Sequence, residues 1–251
     1  MAPVFAVFYR SLLGWRPFAF MYYLRALEMP LQLACFGAGL AAMASVVGNQ
    51  SYASYIYPGL IVLYLWFAVI MEATYVTFTK AFYHRIWSAI LATPITLPQI
   101  LLGEQLLALM KALTLTLLFW PVGVYFNLVA NFQDFLFILI PLSIMILCLC
   151  SFGYLLCSLA KNEYDFDPLW PLLSTPMMLT SGIFYPVSTF PEWVQHVVWI
   201  SPLYHGVEII RPVLQGIYDW PVIVGHSLVL MAMWLAFSSL AYYQFKRRFQ
   251  E

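Results

Sequence analysis

From Phe135 to Leu159 the chain carries no charged residue. At about 1.5 Å of rise per residue, a helix of that length crosses the roughly 30 Å hydrocarbon core of a bilayer. Comparable apolar runs occupy residues 22–47, 56–79, 101–122, 167–185 and 221–243. Inside hydrocarbon every backbone polar group must be satisfied internally, which leaves helices or closed barrels, and these runs are of helix length. The expected fold class is an all-α polytopic membrane protein with six transmembrane helices, one domain over residues 1–251. Composition agrees, with 63% hydrophobic and 9% charged residues. A globular domain carries about 25% charged residues, so this chain cannot cover a water-facing surface of its own size. Eleven basic residues balance eleven acidic ones. With no Lys/Arg-rich tract, nothing points to nucleic acid as a partner.

The first part of the chain, residues 4–20, is aromatic and apolar with isolated arginines. Phe5, Phe8 and Leu12 share a helical face, while Arg10 and Arg16 can reach headgroups, so an interfacial helix is expected. The same stretch lacks an apolar core followed by a small-residue cleavage site, so no removed signal peptide is expected. In the first span, Gly37, Ala38, Gly39, Ala41 and Ala42 permit close helix contact. Arg25 and Glu28 can pair across one turn, and Asn49 sits in a polar GNQS turn. Glu72 falls within the second span, where an unpaired carboxylate is expensive; it should face protein, water or an interface. Residues 80–94 look like a short surface helix that ends at Thr93-Pro94. Glu104 and Lys111, seven apart in the third span, lie on one face. Cys35, Cys148, Cys150 and Cys157 fall in apolar runs and read as small buried hydrophobes.

Charge placement orients the spans. Arg10 and Arg16, Lys80 and Arg85, Lys161, and the tail residues Lys246, Arg247 and Arg248 fall on alternate connections, whereas the opposite connections hold only Arg211. The positive-inside rule places both termini in the cytoplasm and residues 188–216 outside. That segment reads as an extracytoplasmic re-entrant helical hairpin: Pro191 opens one short helix and Ser201 caps a second. Glu208 and Arg211, three apart, read as an ion pair that fixes the hairpin or seals an outward gate. Phe184, Tyr185, Pro186, Trp193 and His205 belong to the same region. No GxxxxGK[ST], HExxH or CxxC motif is present, and His84, His196, His205 and His226 lack ligand spacing. Neither a catalytic centre nor a metal or cofactor site is expected in this chain.

The motifs YPGL at Tyr57, EATYVTF at Glu72, RIWSAILATPIT at Arg85 and LLGEQLLALMKA at Leu101 resemble the membrane subunit of ABC-2-type exporters. TPMMLTSGIFYPVSTFPEW at Thr175 and SPLYHGVEIIRPVLQG at Ser201 carry the most specific resemblance, which is closest to the NodJ-like branch associated with lipooligosaccharide export. The resemblance covers most of the chain. It implies a homodimeric permease in a bacterial inner membrane, served by two separate cytoplasmic NodI-like ATPase subunits that bind ATP and Mg. It also implies a coupling helix at residues 80–94, with Lys80, His84, Arg85, Trp87 and Pro94 as ATPase-contact residues. Tyr57, Tyr64, Trp66, Phe67 and Glu72 become candidates for the translocation path. Helix packing is the simpler reading of the four aromatics, and a structural hydrogen bond near the interface is the other reading of Glu72. The implied cargo is an amphiphilic glycoconjugate such as a lipooligosaccharide, glycolipid or polysaccharide; a small-amphiphile drug is the alternative. A secondary transporter driven by an ion gradient is compatible with the interrupted fifth span, but no internal repeat supports it.

Overall fold

The structure, a computed structural model, describes residues 2–41, 51–129 and 131–250. Among the described residues the regular structure is all helical: α1 (Ala2–Trp15), α2 (Ala19–Leu24), α3 (Glu28–Ala41), α4 (Tyr52–Met71), α5 (Ile86–Leu91), α6 (Leu97–Tyr125), α7 (Phe132–Leu159), α8 (Phe166–Thr180), α9 (Glu192–Val197), α10 (Pro202–Leu214) and α11 (Trp220–Gln250). Four of the described helical runs are long and apolar enough to cross a membrane: Tyr52–Tyr83, Leu97–Tyr125, Phe132–Leu159 and Trp220–Phe249. The protein is thus an all-α, multi-pass membrane protein.

Local sequence sets the helix ends. Ser51 caps α4, its Oγ accepting the Ser54 N–H at 3.2 Å. Thr96 and Gln99 form a reciprocal capping box at the start of α6, with Pro98 in the first turn, where its missing N–H costs nothing. α4 is buried along nearly its whole length. Beyond Met71 it continues through two π-helical segments, Glu72–Val76 and Thr79–Tyr83, before the chain breaks at Arg85. α7 packs along α11 and against α10, α4 and α6. α1 lies on α6, close enough that a Cβ on Gly103 would come within 2.8 Å of Val7.

Several expectations need correction. The expected fifth span, residues 167–185, is helical only over Phe166–Thr180, because the chain turns at Gly182 with φ +75°. At 15 residues, α8 is shorter than the roughly 20 that span a bilayer upright. The expected first span is divided into α2, a 3₁₀ turn at Arg25–Leu27 and α3. The small residues from Gly37 to Ala42 and the turn residues Gly48, Asn49 and Gln50 lie outside the residues whose side chains are described. The helix expected over 80–94 is only α5; Lys80 belongs to the preceding π-helical segment, and Arg85, with φ 50°, separates the two. Cys35 is exposed, whereas Cys148, Cys150 and Cys157 are buried, and all four are free thiols.

Candidate functional site

Four charges within the long helices meet at one end of α4 and α6. Glu72, the first residue of the π-helical widening, accepts from Lys111 at 2.5 Å and lies 3.6 Å from Lys80. Lys80 reaches across to Glu104 at 2.8 Å, and Glu104 also accepts the Ser11 hydroxyl of α1 at 2.7 Å. Two lysines thus answer two carboxylates. A charge withdrawn from water is tolerated where partners and hydrogen bonds surround it. Lys111 and Glu104 are each only 3% exposed. The Lys111 ammonium also sits 5.1 Å and 4.8 Å from the ring centroids of Trp15 and Tyr22, close enough for cation–π attraction.

A π-helical turn adds one residue to the ordinary repeat and re-aims the side chains that follow it, and such turns are frequent at functional sites. Here Thr77 returns its hydroxyl to the Glu72 carbonyl at 2.9 Å, which satisfies the widened backbone. Beside the network lies a cavity of about 560 Å³, lined among others by Arg10, Trp15, Tyr22, Arg25, Glu72 and Lys111. A second cavity of about 390 Å³ adjoins it, since Arg25 and Ala68 line both; Glu28, Tyr64 and Phe67 line its remaining wall. Arg25 and Glu28 do not form the expected ion pair. Gln32 lies against the Glu28 carboxylate instead, at 3.5 Å.

Among the five path candidates the structure separates two groups. Glu72, Tyr64 and Phe67 face the cavities. Tyr57 and Trp66 are packed inside: the Tyr57 hydroxyl donates to the Phe119 carbonyl at 2.9 Å, and Trp66 Nε1 donates to Ser174 at 3.0 Å. Of the coupling candidates, His84, Arg85 and Pro94 are exposed, but Lys80 is turned into the ionic network and Trp87 is fully buried. Trp87 therefore offers no surface to another chain. As part of a six-residue helix lying on α11, it packs against Phe245 and Phe249 at centroid distances of 5.2 and 6.3 Å.

At the opposite end of α4, Arg211 does not bridge to Glu208 among the described residues. Its guanidinium lies 3.9 Å from the Tyr55 ring centroid and donates to the carbonyls of Gly182, at 2.5 Å, and Tyr55, at 3.4 Å. Tyr55 itself donates to Gly182 O at 3.1 Å, and Tyr52 to Phe184 O at 3.3 Å. Phe184 is thereby held, whereas Tyr185 and Trp193 are exposed and Pro186 opens the turn toward α9. The Ser201 hydroxyl pairs with Ser181 at 2.7 Å instead of capping α10. His205 is buried; its Nε2 donates to the Trp199 carbonyl at 2.9 Å, so its Nδ1 accepts from His226 Nδ1 at 2.6 Å.

Sequence spacing brought Glu104 and Lys111 to one face but missed their partners, which lie 24 and 39 positions away. The available signal was stoichiometric. Two acids and two bases in adjoining apolar helices each need an opposite charge, and together they supply it.

Residues 3–214 match the family described as ABC-2 type transporter. Nodulation protein J of Rhizobium meliloti (strain 1021) is 32% identical over 84% of this chain and 80% of its own length. Nodulation protein J of Bradyrhizobium diazoefficiens is 30% identical over 97% of this chain and 92% of its own. A probable multidrug ABC transporter permease of Escherichia coli (strain K12), YbhR, is 23% identical over 80% of this chain and 54% of its own.

Proposed function

Because the chain belongs to the ABC-2 type transporter family, we propose that it is the permease of an ATP-driven exporter that moves an amphiphilic glycoconjugate out of the cytoplasm or inner leaflet. As an ABC-2 permease it is the non-catalytic membrane subunit; ATP hydrolysis belongs to another chain. The observation that carries the exporter reading is the similarity to Nodulation protein J along at least four-fifths of both chains. In this reading the chain crosses an inner membrane six times with both termini cytoplasmic, α1 lies in the cytoplasmic interface, and two copies join two ATPase subunits that use ATP and Mg.

Coupling then falls on the exposed residues that flank α5. His84, Arg85 and Pro94 meet the ATPase, while Trp87 transmits their movement to α11 through Phe245 and Phe249. Glu72, Tyr64 and Phe67 line the cavity side of the translocation path. The segment from Phe184 through Arg211 forms the extracytoplasmic gate, in which Arg211 locks the Gly182 turn to Tyr55. Small-amphiphile drug export is the second reading, favoured by the similarity to the probable multidrug permease.

The test is reconstitution in lipid nanodiscs with the co-expressed ATPase and measurement of hydrolysis across glycolipids and hydrophobic drugs. Stimulation by a glycolipid supports the first reading, and stimulation by drugs alone supports the second. A permease that binds no ATPase yet carries gradient-driven flux overturns both. His84→Ala with Arg85→Glu should abolish ATPase binding at unchanged thermal stability.

A further inference from the structure

The ionic network beside the larger cavity is internally balanced, but its rim is not. Lys80 and Lys111 are answered by Glu72 and Glu104. Arg10 and Arg25, which line the same cavity, have no acidic partner among the described residues. The indole N–H of Trp15, also on the lining, is buried without an acceptor. Two exposed guanidiniums and one buried indole N–H therefore lie on the lining of a volume of about 560 Å³, within the range of small-molecule sites. A buried donor without an acceptor costs free energy that a ligand oxygen recovers. Guanidinium groups match phosphate oxygens in geometry as well as charge. Much of the remaining lining is apolar, and Phe18, Met21 and Val76, which belong to it, are themselves exposed. A purely water-soluble anion leaves that wall uncovered, whereas an amphiphile covers it with its chain.

We propose that this cavity binds the phosphate-type anionic headgroup of a membrane amphiphile, held by Arg10, Arg25 and the Trp15 N–H, with its apolar chain along Phe18, Met21 and Val76. Glu72 and Glu104 set the selectivity. They neutralise the two lysines, so the cavity's surplus of two positive charges is matched by a mono- or dianionic headgroup and not by a zwitterion. The site requires neither the ATPase nor transport, so the proposal stands or falls separately from the exporter reading.

The experiment is native mass spectrometry of the purified chain released from nanodiscs containing equal phosphatidylglycerol and phosphatidylcholine. Preferential retention of phosphatidylglycerol is expected. Arg10→Gln with Arg25→Gln should reduce retention at least tenfold, the equivalent of about 1.4 kcal/mol. Arg16→Gln, outside the cavity lining, should leave retention unchanged. If the double variant folds poorly, Trp15→Phe removes the N–H together with one ring of the indole and should lower retention in the chains that remain folded. Equal retention of the two lipids, or undiminished retention in the folded double variant and in Trp15→Phe, overturns the proposal. Displacement of the lipid by millimolar inorganic phosphate overturns the lipid assignment and gives the site to a soluble phosphate.

Discussion

The two ends of α4 are anchored by different chemistry. At its start, Tyr52 and Tyr55 donate to carbonyls of the Gly182–Phe184 turn, and one cation, Arg211, is satisfied by backbone oxygens and an aromatic face. At its far end, past Met71, two carboxylates and two ammonium groups from its π-helical extension and α6 satisfy one another, with α1 closing the set through Ser11. The first arrangement fixes a turn: its acceptors are backbone atoms that cannot change charge or swing away. The second is a balance among side chains beside a cavity, and any charge arriving there redistributes it. A fixed turn suits a gate, whereas an adjustable charge balance suits a place where a ligand or a partner is sensed.

The sharpest way to break this contrast is to remove one member of the network. Glu72→Gln strands Lys111, 3% exposed, between Trp15 and Tyr22 with no carboxylate. Losing one partner of a buried pair costs about 3–5 kcal/mol, to be read as a lowered unfolding temperature in nanodiscs. Adding Lys111→Met should restore more than about 1 kcal/mol, since contacting residues couple by roughly 0.5–3 kcal/mol. Strictly additive losses would show that the charges do not act as a unit.

At the other end, Arg211→Ala should cost about 1.5–3 kcal/mol, the value of hydrogen bonds to a charged group. It should also speed amide exchange across residues 181–186. Glu208→Gln removes a through-space attraction to Arg211 but no hydrogen bond or close ion pair among the described residues, and should cost less than about 1 kcal/mol. The reverse order of effects would restore the Glu208–Arg211 ion pair that the three-residue spacing suggested.

Much of the architecture was legible because bilayer thickness sets helix length. The apolar runs at 101–122 and 135–159 became α6 and α7 with ends shifted by only a few residues. Local rules failed where tertiary partners decide. Residues three apart on a helix can pair, yet Arg211 found Tyr55, 156 positions away, and Glu28 met Gln32 instead of Arg25. Trp87 looked like a surface aromatic beside Arg85, but burying it against Phe245 and Phe249 removes more apolar area from water than an exposed position allows. Nothing in the local sequence marked Glu72 as the start of a π-helical turn, and its neighbours there come from far along the chain: Gly153 packs against Ala73, and Lys111 meets the Glu72 carboxylate.

An intermediate effect tests how α1 is held. Gly103 lets Val7 approach to a distance that no side chain at 103 permits. Gly103→Leu should cost about 1–3 kcal/mol through overpacking and lift α1 from α6. A Val7→Cys reporter, buried in the parent, should then react with maleimide. Protection of that thiol in the Gly103→Leu background would show that the charged network alone keeps α1 in place.

The smallest effect lies just beyond the network, where the chain leaves α4. Arg85 adopts φ 50°, a conformation that costs a side-chain-bearing residue roughly 1–2 kcal/mol and glycine nothing. Glycine also makes the unfolded chain more flexible, which takes back about 0.4–1 kcal/mol. Arg85→Gly should therefore change stability by less than about 1 kcal/mol, in the stabilising direction. That near-cancellation makes the variant informative, because it deletes an exposed guanidinium while leaving the turn, Trp87 and the Glu72 network intact. If ATPase binding falls in Arg85→Gly at an unchanged melting temperature, the exposed turn serves contact and the network behind it serves structure. If binding is unchanged, the contact must lie elsewhere on the exposed residues flanking α5, with His84 and Pro94 the next positions to replace.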